Sequence, residues 1–180
     1  MDNPRQPVVV LSRALDQAGD VLAAVHADDL GKPTPCADWT VRDLADHLVA
    51  APRHFLQQAR GEDDDWSASP GVEEGAWATT FRADADDLIH HWHAQGDDAL
   101  AKADWQSAEL GVHTWDLQRA LGRTTPLVDE VAERGLAFMQ QGLTEENRGE
   151  AFGAPVEVGD DASPYDRLAA FAGRDPGWSA

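Results

Sequence analysis

Leu11, Leu15, Ala18, Leu22 and Val25 stand three or four residues apart, and the same spacing returns in every long segment of the chain. At about 100° per residue such positions line one face of a helix. Leu44, Leu48, Ala51 and Phe55 form a second stripe; Trp77, Phe81, Leu88 and Trp92 form a third; Leu110, Leu117 and Leu121 form a fourth. No alternating pattern sufficient for a sheet and no internal repeat competes with them. The fold class expected is all-α, an antiparallel four-helix bundle with a short C-terminal extension.

The punctuation supplies boundaries. The first helix is expected over about Val8 to Val25. The second starts at Thr40, which caps it, with Asp43 completing a capping box and Trp39 and Leu44 placed as a hydrophobic staple; Pro52 is expected to kink or shorten it. A loop runs from Gly61 to Gly71, and the third helix covers about Glu73 to Gln95 before Gly96 breaks it. The fourth carries Glu109 and His113. Thr125-Pro126 restarts the chain with cap and first-turn signals, and Val128, Val131, Phe138 and Met139 are expected in the core. Ala154 to Val158 reads as a short extended piece, and Ser163-Pro164 caps a last helix ending near Gly173. A bundle over 1–150 and an extension over 151–180 packed on it follow as the domain reading.

Glu109 and His113 are one turn apart, and with Asp116 they fall in or beside the arc of Leu110, Leu117 and Leu121. A surface helix puts its charges on the opposite face. Charged groups turned toward a core need partners, and a divalent ion is one such partner; a hydrogen-bonded polar pair at the edge of the core is the other reading. A third ligand would have to come from elsewhere. His47 lies near the edge of the second stripe. His54 is seven residues on, about 10.5 Å along the axis, so both cannot bind one ion through bonds near 2 Å. His90, His91 and His93 follow a run of aspartates and read as a solvated face, as does His26.

These segments carry a resemblance. Thr34-Pro-Cys-Ala-Asp-Trp-Thr-Val-Arg-Asp-Leu-Ala-Asp-His-Leu and Glu109-Leu-Gly-Val-His-Thr-Trp-Asp-Leu resemble, in order, the two signatures of the DinB-like metal-binding bundles. More narrowly they resemble the mycothiol-dependent maleylpyruvate isomerase N-terminal-domain group, and Leu168-Ala-Ala-Phe-Ala-Gly-Arg-Asp-Pro-Gly-Trp is similar to the ending of an actinobacterial-type subgroup. The resemblance implies His47, Glu109 and His113 as metal ligands, zinc as the ion with nickel or iron as alternatives, and a low-molecular-weight thiol such as mycothiol as cosubstrate. Two departures stand out: only about fifteen residues separate His93 from Glu109, fewer than the relatives are expected to have. In place of the isomerases' large partner domain stands only the tail from about Ala151.

The chain of 180 residues carries a formal charge of −19, from 12 arginines, two lysines, 23 aspartates and ten glutamates. Such a charge argues against binding a nucleic-acid backbone. No apolar run approaches a membrane span, and the N-terminus lacks signal-peptide features, so a cytoplasmic location is expected. Asp63-Asp64-Asp65 and Asp160-Asp161 lack calcium-loop spacing and read as solvated loop charges. Cys36, the only cysteine, permits no intrachain disulfide; it reads as a small hydrophobe packing the turn, with a fourth ligand or redox thiol as the alternative.

Two histidines and a carboxylate leave a fourth position open, as catalytic zinc sites do. Such a site lowers the pKa of bound water or holds a thiol as thiolate, and the resemblance points to the thiol. The first expectation is therefore a thiol-dependent S-transferase or isomerase acting on a small electrophile. The second is a non-catalytic metal-binding stress or interaction protein, with a homodimer as a further expectation. A hydrolase ranks last, since no zincin motif supplies its general base. Asp116 would orient His113 or face solvent, Trp115 reads as packing, and Arg42 and Arg119 are candidates to attract an anionic substrate.

Overall fold

Helix α2 (Val41–Ala59) begins where its cap signals place it. Asp43 donates its amide to the Thr40 hydroxyl at 3.4 Å, and Thr40 donates its own amide to the Asp43 carboxylate at 2.8 Å, closing the capping box. The Thr40 hydroxyl also donates to the Asp43 carboxylate at 2.7 Å, and this bond, with that from the Thr40 amide, holds the Asp43 carboxyl below its ordinary range. A depressed folded-state pKa contributes stability that is present above the unfolded value and is lost as pH falls through the folded one. Thr40→Ala is expected to cost about 1 kcal/mol in urea unfolding at pH 7, with the difference from the parent shrinking below about pH 4.

The computed structural model describes residue 3 and residues 5–149 and 152–180, the side chain of Glu74 excepted. Met1, Asp2 and Pro4, read above for targeting features, and Glu150 and Ala151, where the domain boundary was expected, lie outside the described residues. Among the described residues the regular structure is helical, apart from one isolated bridge between Pro33 and Thr40. Among the described residues no helix is long and apolar enough to cross a membrane.

The bundle consists of α1 (Gln6–Leu22), α2, α3 (Trp77–His93) and α4 (Asp104–Ala120). Packing runs in the cyclic order α1, α4, α2, α3, leaving α1 and α2 nearly out of contact across the diagonal. Cross-helix pairs give the directions. Arg82 reaches Asp20 at 2.8 Å and Arg5 reaches Asp97 at 3.7 Å, so α3 runs against α1. The Trp77 indole donates to Asp46 and Arg53 pairs with Asp84, so α3 runs alongside α2. The stretch 60–76 must therefore return along the length of α2, which lays Trp66 across its face.

Helix α1 ends at Leu22, short of the expected Val25, α3 starts at Trp77 and not near Glu73, and further boundaries differ from the spacing. Helix α2 continues through the buried Pro52 to Ala59. Before α4, residues Asp97–Ala103 form 3-10 turns. Thr125-Pro126 starts no helix: α5 (Asp129–Gly142) begins three residues later, with the Val128 amide donating to Gln17 Oε1 at 2.9 Å. Val128 and Phe138, expected in the core, are 37% and 38% exposed, because α5 buries Val131, Ala132, Gly135 and Met139 and leaves Phe138 at the edge of that arc. Residues 154–158 form no strand. The last helix, α6 (Pro164–Phe171), is capped by Ser163, which accepts from the Asp166 amide at 3.1 Å.

Helices α5 and α6 pack on the outer side of α4. With α1 and α2 on its other side, α4 is enclosed, and thirteen of its seventeen residues are buried. Its polar residues must therefore find partners inside the protein. The α4–α5 approach is close at small residues: a Cβ on Gly135 would lie 3.0 Å from the Ala108 Cα. Gly135→Ala is expected to destabilise by about 1 kcal/mol net, the backbone clash outweighing the better helix propensity of alanine. Gly142→Ala, where the added Cβ meets nothing within 4 Å, is the contrasting control in the same thermal-unfolding measurement.

Candidate metal centre

The arch between α1 and α2 roofs one end of the site. The Thr34 hydroxyl lies 2.9 Å from the carbonyl oxygens of both Cys36 and Trp39 and accepts from the Cys36 amide at 3.2 Å. The Pro33–Thr40 bridge closes the arch, and Asp38 takes a left-handed φ of 66° within it. Trp39 is thereby held over two imidazoles, 4.9 Å from His47 and stacked at 5.7 Å on His113 by ring centroids.

Below Trp39, α2 and α4 bring His47, Glu109 and His113 together. Glu109 Oε1 lies 2.9 Å from His47 Nε2 and 3.1 Å from His113 Nε2, and one ligand atom from each residue falls within 4.8 Å of the others. Tetrahedral zinc with bonds near 2 Å would separate its ligand atoms by about 3.3 Å, so the donor set and spacing suit such an ion. Burial would raise the Glu109 carboxyl, but His113 and His47 beside it hold it well below the usual carboxylate range. Burial would likewise depress His113, yet Glu109 and Asp116 raise it to about 9; His47 is lowered by burial, which outweighs its bond to Glu109. An ion bound through His113 Nε2 would have to displace any proton held there, so binding is expected to weaken as pH falls.

Asp116 faces inward and is fully buried, not solvent-facing. Its Oδ2 accepts from His113 Nδ1 at 3.2 Å, which leaves Nε2 directed at Glu109. Arg174, from the segment after α6, grips both carboxylate oxygens: Nε to Oδ1 at 3.2 Å and Nη2 to Oδ2 at 3.1 Å. The same guanidinium donates to the Ala172 carbonyl at 2.9 Å and lies 3.6 Å from Cys36 Sγ. Cys36, His113 and Asp116 form a second close group. That group suits an ion less well, because Asp116 already serves His113 and Arg174. Burial also pushes the Cys36 thiol up to about 11, against the pull of Arg174. Cys36 is half-buried in the arch.

A cleft of about 660 Å³ opens onto the triad, walled by Trp39, Trp66, Trp105 and Phe152. Trp66 lies 5.1 Å from His47 and stacks at 4.4 Å on His54, while Trp105 meets Phe55 edge-on at 4.8 Å. Sequence reasoning singled out neither Trp66 nor Trp105 nor Phe152, and it quoted Arg174 only within the C-terminal stretch, with no role attached, because each reaches the site only through the tertiary fold. A tryptophan inside a Gly, Ser and Asp loop was the one available signal for Trp66.

Other candidates sit elsewhere. His54 bonds to Asp64 through Nδ1 and stays out of the triad; Asp64, expected as a solvated charge, is correspondingly mostly buried and also accepts from Gln58 at 2.8 Å. His26, His90 and His93 are exposed, and His91 is half-buried. Trp115 is 4% exposed and packs in the core. Arg42 and Arg119 do not line the cleft: Arg42 lies over Trp77 at 5.9 Å, and Arg119 lies over Trp115 at 5.0 Å and pairs with Asp166 at 3.3 Å.

Residues 11–131 match the family described as mycothiol maleylpyruvate isomerase N-terminal domain. Over 187 aligned positions the chain is 32% identical to an uncharacterised protein of Mycobacterium tuberculosis, found in strains CDC 1551 / Oshkosh and H37Rv; the alignment covers 93% of this chain and 97% of the relative. No solved structure matches. With both signatures inside the matched span and an all-helical bundle around them, the chain belongs to the mycothiol maleylpyruvate isomerase N-terminal domain family.

Proposed function

We propose that His47, Glu109 and His113 bind a divalent ion, zinc in first place, and that the cleft beside it takes a low-molecular-weight thiol of the mycothiol type for attack on a small electrophile. One observation carries this reading: three ligand atoms from two helices converge at the floor of an aromatic cleft large enough for a small molecule. The thiol comes from the family's description. Held by these two imidazoles and this carboxylate, a divalent ion would make a thiol available as thiolate at neutral pH, below its free pKa of about 8.5.

The chain's own residues supply the rest. Asp116 fixes the His113 ring through Nδ1, and Arg174 fixes Asp116, so the imidazole does not have to be ordered when the ion arrives. Trp39 covers both imidazoles and keeps water off that side. Trp66 and Trp105 form walls against which the body of a thiol or electrophile packs. The thiolate sulfur then gives its electron pair to the electrophilic carbon, and either a leaving group departs from that carbon with its bonding pair, or the π pair of a conjugated carbon–carbon double bond shifts onto its electron-withdrawing group, the carbon–carbon bond so made single rotates, and expulsion of the thiolate restores the double bond.

The second reading, a metal-binding protein without catalysis, is favoured by a separate observation. Apart from the three ligand residues, the titratable side chains among the described cleft residues are Cys36, whose thiol burial keeps protonated, and Asp38. Cobalt-loaded protein titrated with 2-mercaptoethanol separates the two. An intense near-ultraviolet thiolate-to-cobalt band saturating at one thiol per chain is expected. Bound cobalt with no such band would leave the non-catalytic reading.

A further inference from the structure

Arginine is the residue most used to recognise carboxylates and phosphates, yet among the described residues no arginine or lysine lines the cleft. Arg42 and Arg119 point elsewhere. Arg174, behind Cys36, is 4% exposed and committed to Asp116 and a backbone carbonyl. What lines the cleft beyond the triad is aromatic surface and the exposed carboxylate of Asp38. A smaller groove of about 380 Å³ shares Asp38, Trp39, His47 and Trp66 with it and adds Asp43 and Asp46.

Away from the ion-binding residues, an anionic group on the ligand body would lose hydration without gaining a cationic side chain and would approach carboxylates at the rim. A cation would gain both the rim charge and the negative faces of the indole rings. A neutral polyol or amide body would meet neither penalty. The open coordination position attracts any thiolate equally, so selection falls on the part of the ligand away from the sulfur.

We propose that the site takes thiols whose body is uncharged or cationic and discriminates against those carrying a carboxylate, sulfonate or phosphate. This rests on the thiol reading above and adds the substrate's charge class to it. Asp38 sets part of the preference, and its left-handed backbone is one that asparagine also tolerates.

The test compares thiocholine, 2-mercaptoethanol and 2-mercaptoethanesulfonate as ligands of the cobalt-loaded full chain, read by the thiolate-to-cobalt band at low ionic strength. Wild type is set beside Asp38→Asn and beside Asp86→Asn, an exposed aspartate of α3 outside the cleft. Comparing ratios between proteins cancels the intrinsic differences in thiol acidity. The thiocholine-to-sulfonate affinity ratio is expected to fall by roughly threefold in Asp38→Asn, to hold in Asp86→Asn, and to shrink as salt is added. A ratio that Asp38→Asn leaves unchanged, or sulfonate binding as tight as thiocholine binding in wild type, overturns the charge preference while the thiol reading stands. Absence of the band with all three thiols removes the thiol reading, and this inference with it.

Discussion

Glu109→Ala is expected to abolish stoichiometric metal binding while leaving the helical fold intact. Losing residues that merely orient metal ligands costs about 10–100-fold in affinity, so losing the carboxylate that touches both imidazoles should cost more than 100-fold. The fold should survive because Glu109 sits at the cleft floor, where water can enter the space it vacates, and because His113 keeps its bond to Asp116. Equilibrium dialysis against zinc followed by elemental mass spectrometry measures the ion per chain; far-ultraviolet circular dichroism reports the helices. About one ion per parent chain and essentially none in the variant is the outcome that supports the three-residue site. A variant that retains its zinc would move the site elsewhere, and Cys36, His113 and Asp116 would be the group to test next.

The second large effect is on stability. Arg174→Met should lower the unfolding free energy by about 3 kcal/mol, because it removes the guanidinium that binds both oxygens of the buried Asp116 carboxylate and leaves it only the His113 Nδ1. In a chain of this size that corresponds to a melting temperature lower by roughly 10 °C. Adding Asp116→Leu should recover most of the loss, since replacing a buried ion pair by apolar groups is often neutral. The double variant should nonetheless bind zinc about 10–100-fold more weakly than the parent, because His113 Nδ1 has lost its anchor. Recovered stability with weakened binding identifies Asp116 and Arg174 as positioning residues. Recovered stability with parental affinity would reduce the pair to a structural bridge between α4 and the C-terminal segment.

The family match ends at residue 131, well before Arg174. A part of the chain beyond the matched span thus holds the orientation of a residue within it. The same holds for Phe152, which walls the cleft from that segment. The tail after α5 is accordingly part of the site's construction in this protein.

What the sequence by itself determined was local. Helix α2 starts at Thr40 because the capping box satisfies backbone donors within four residues, and such bonds owe nothing to distant packing. The four apolar stripes specify helices, and the four-residue spacing of Glu109 and His113 puts both on one side of α4. Propensity and punctuation were weaker guides at Pro52 and at Thr125-Pro126. Tertiary burial carried α2 through the proline, and packing against Gln17 delayed the start of α5. Only the tertiary structure decided the rest. The stripe on α4 named one buried face of a helix that is enclosed on nearly all sides, so Asp116 reads as solvent-facing or buried with equal ease until α6 and Arg174 are in place. The return of the 60–76 stretch along α2 brought Trp66 to His47, and nothing in the neighbourhood of Trp66 encodes that destination. Local hydrogen bonds and helical periodicity act over a few residues and are written in the chain; the partners of a buried charge and the walls of a cleft come from segments tens of residues apart, and only packing brings them together.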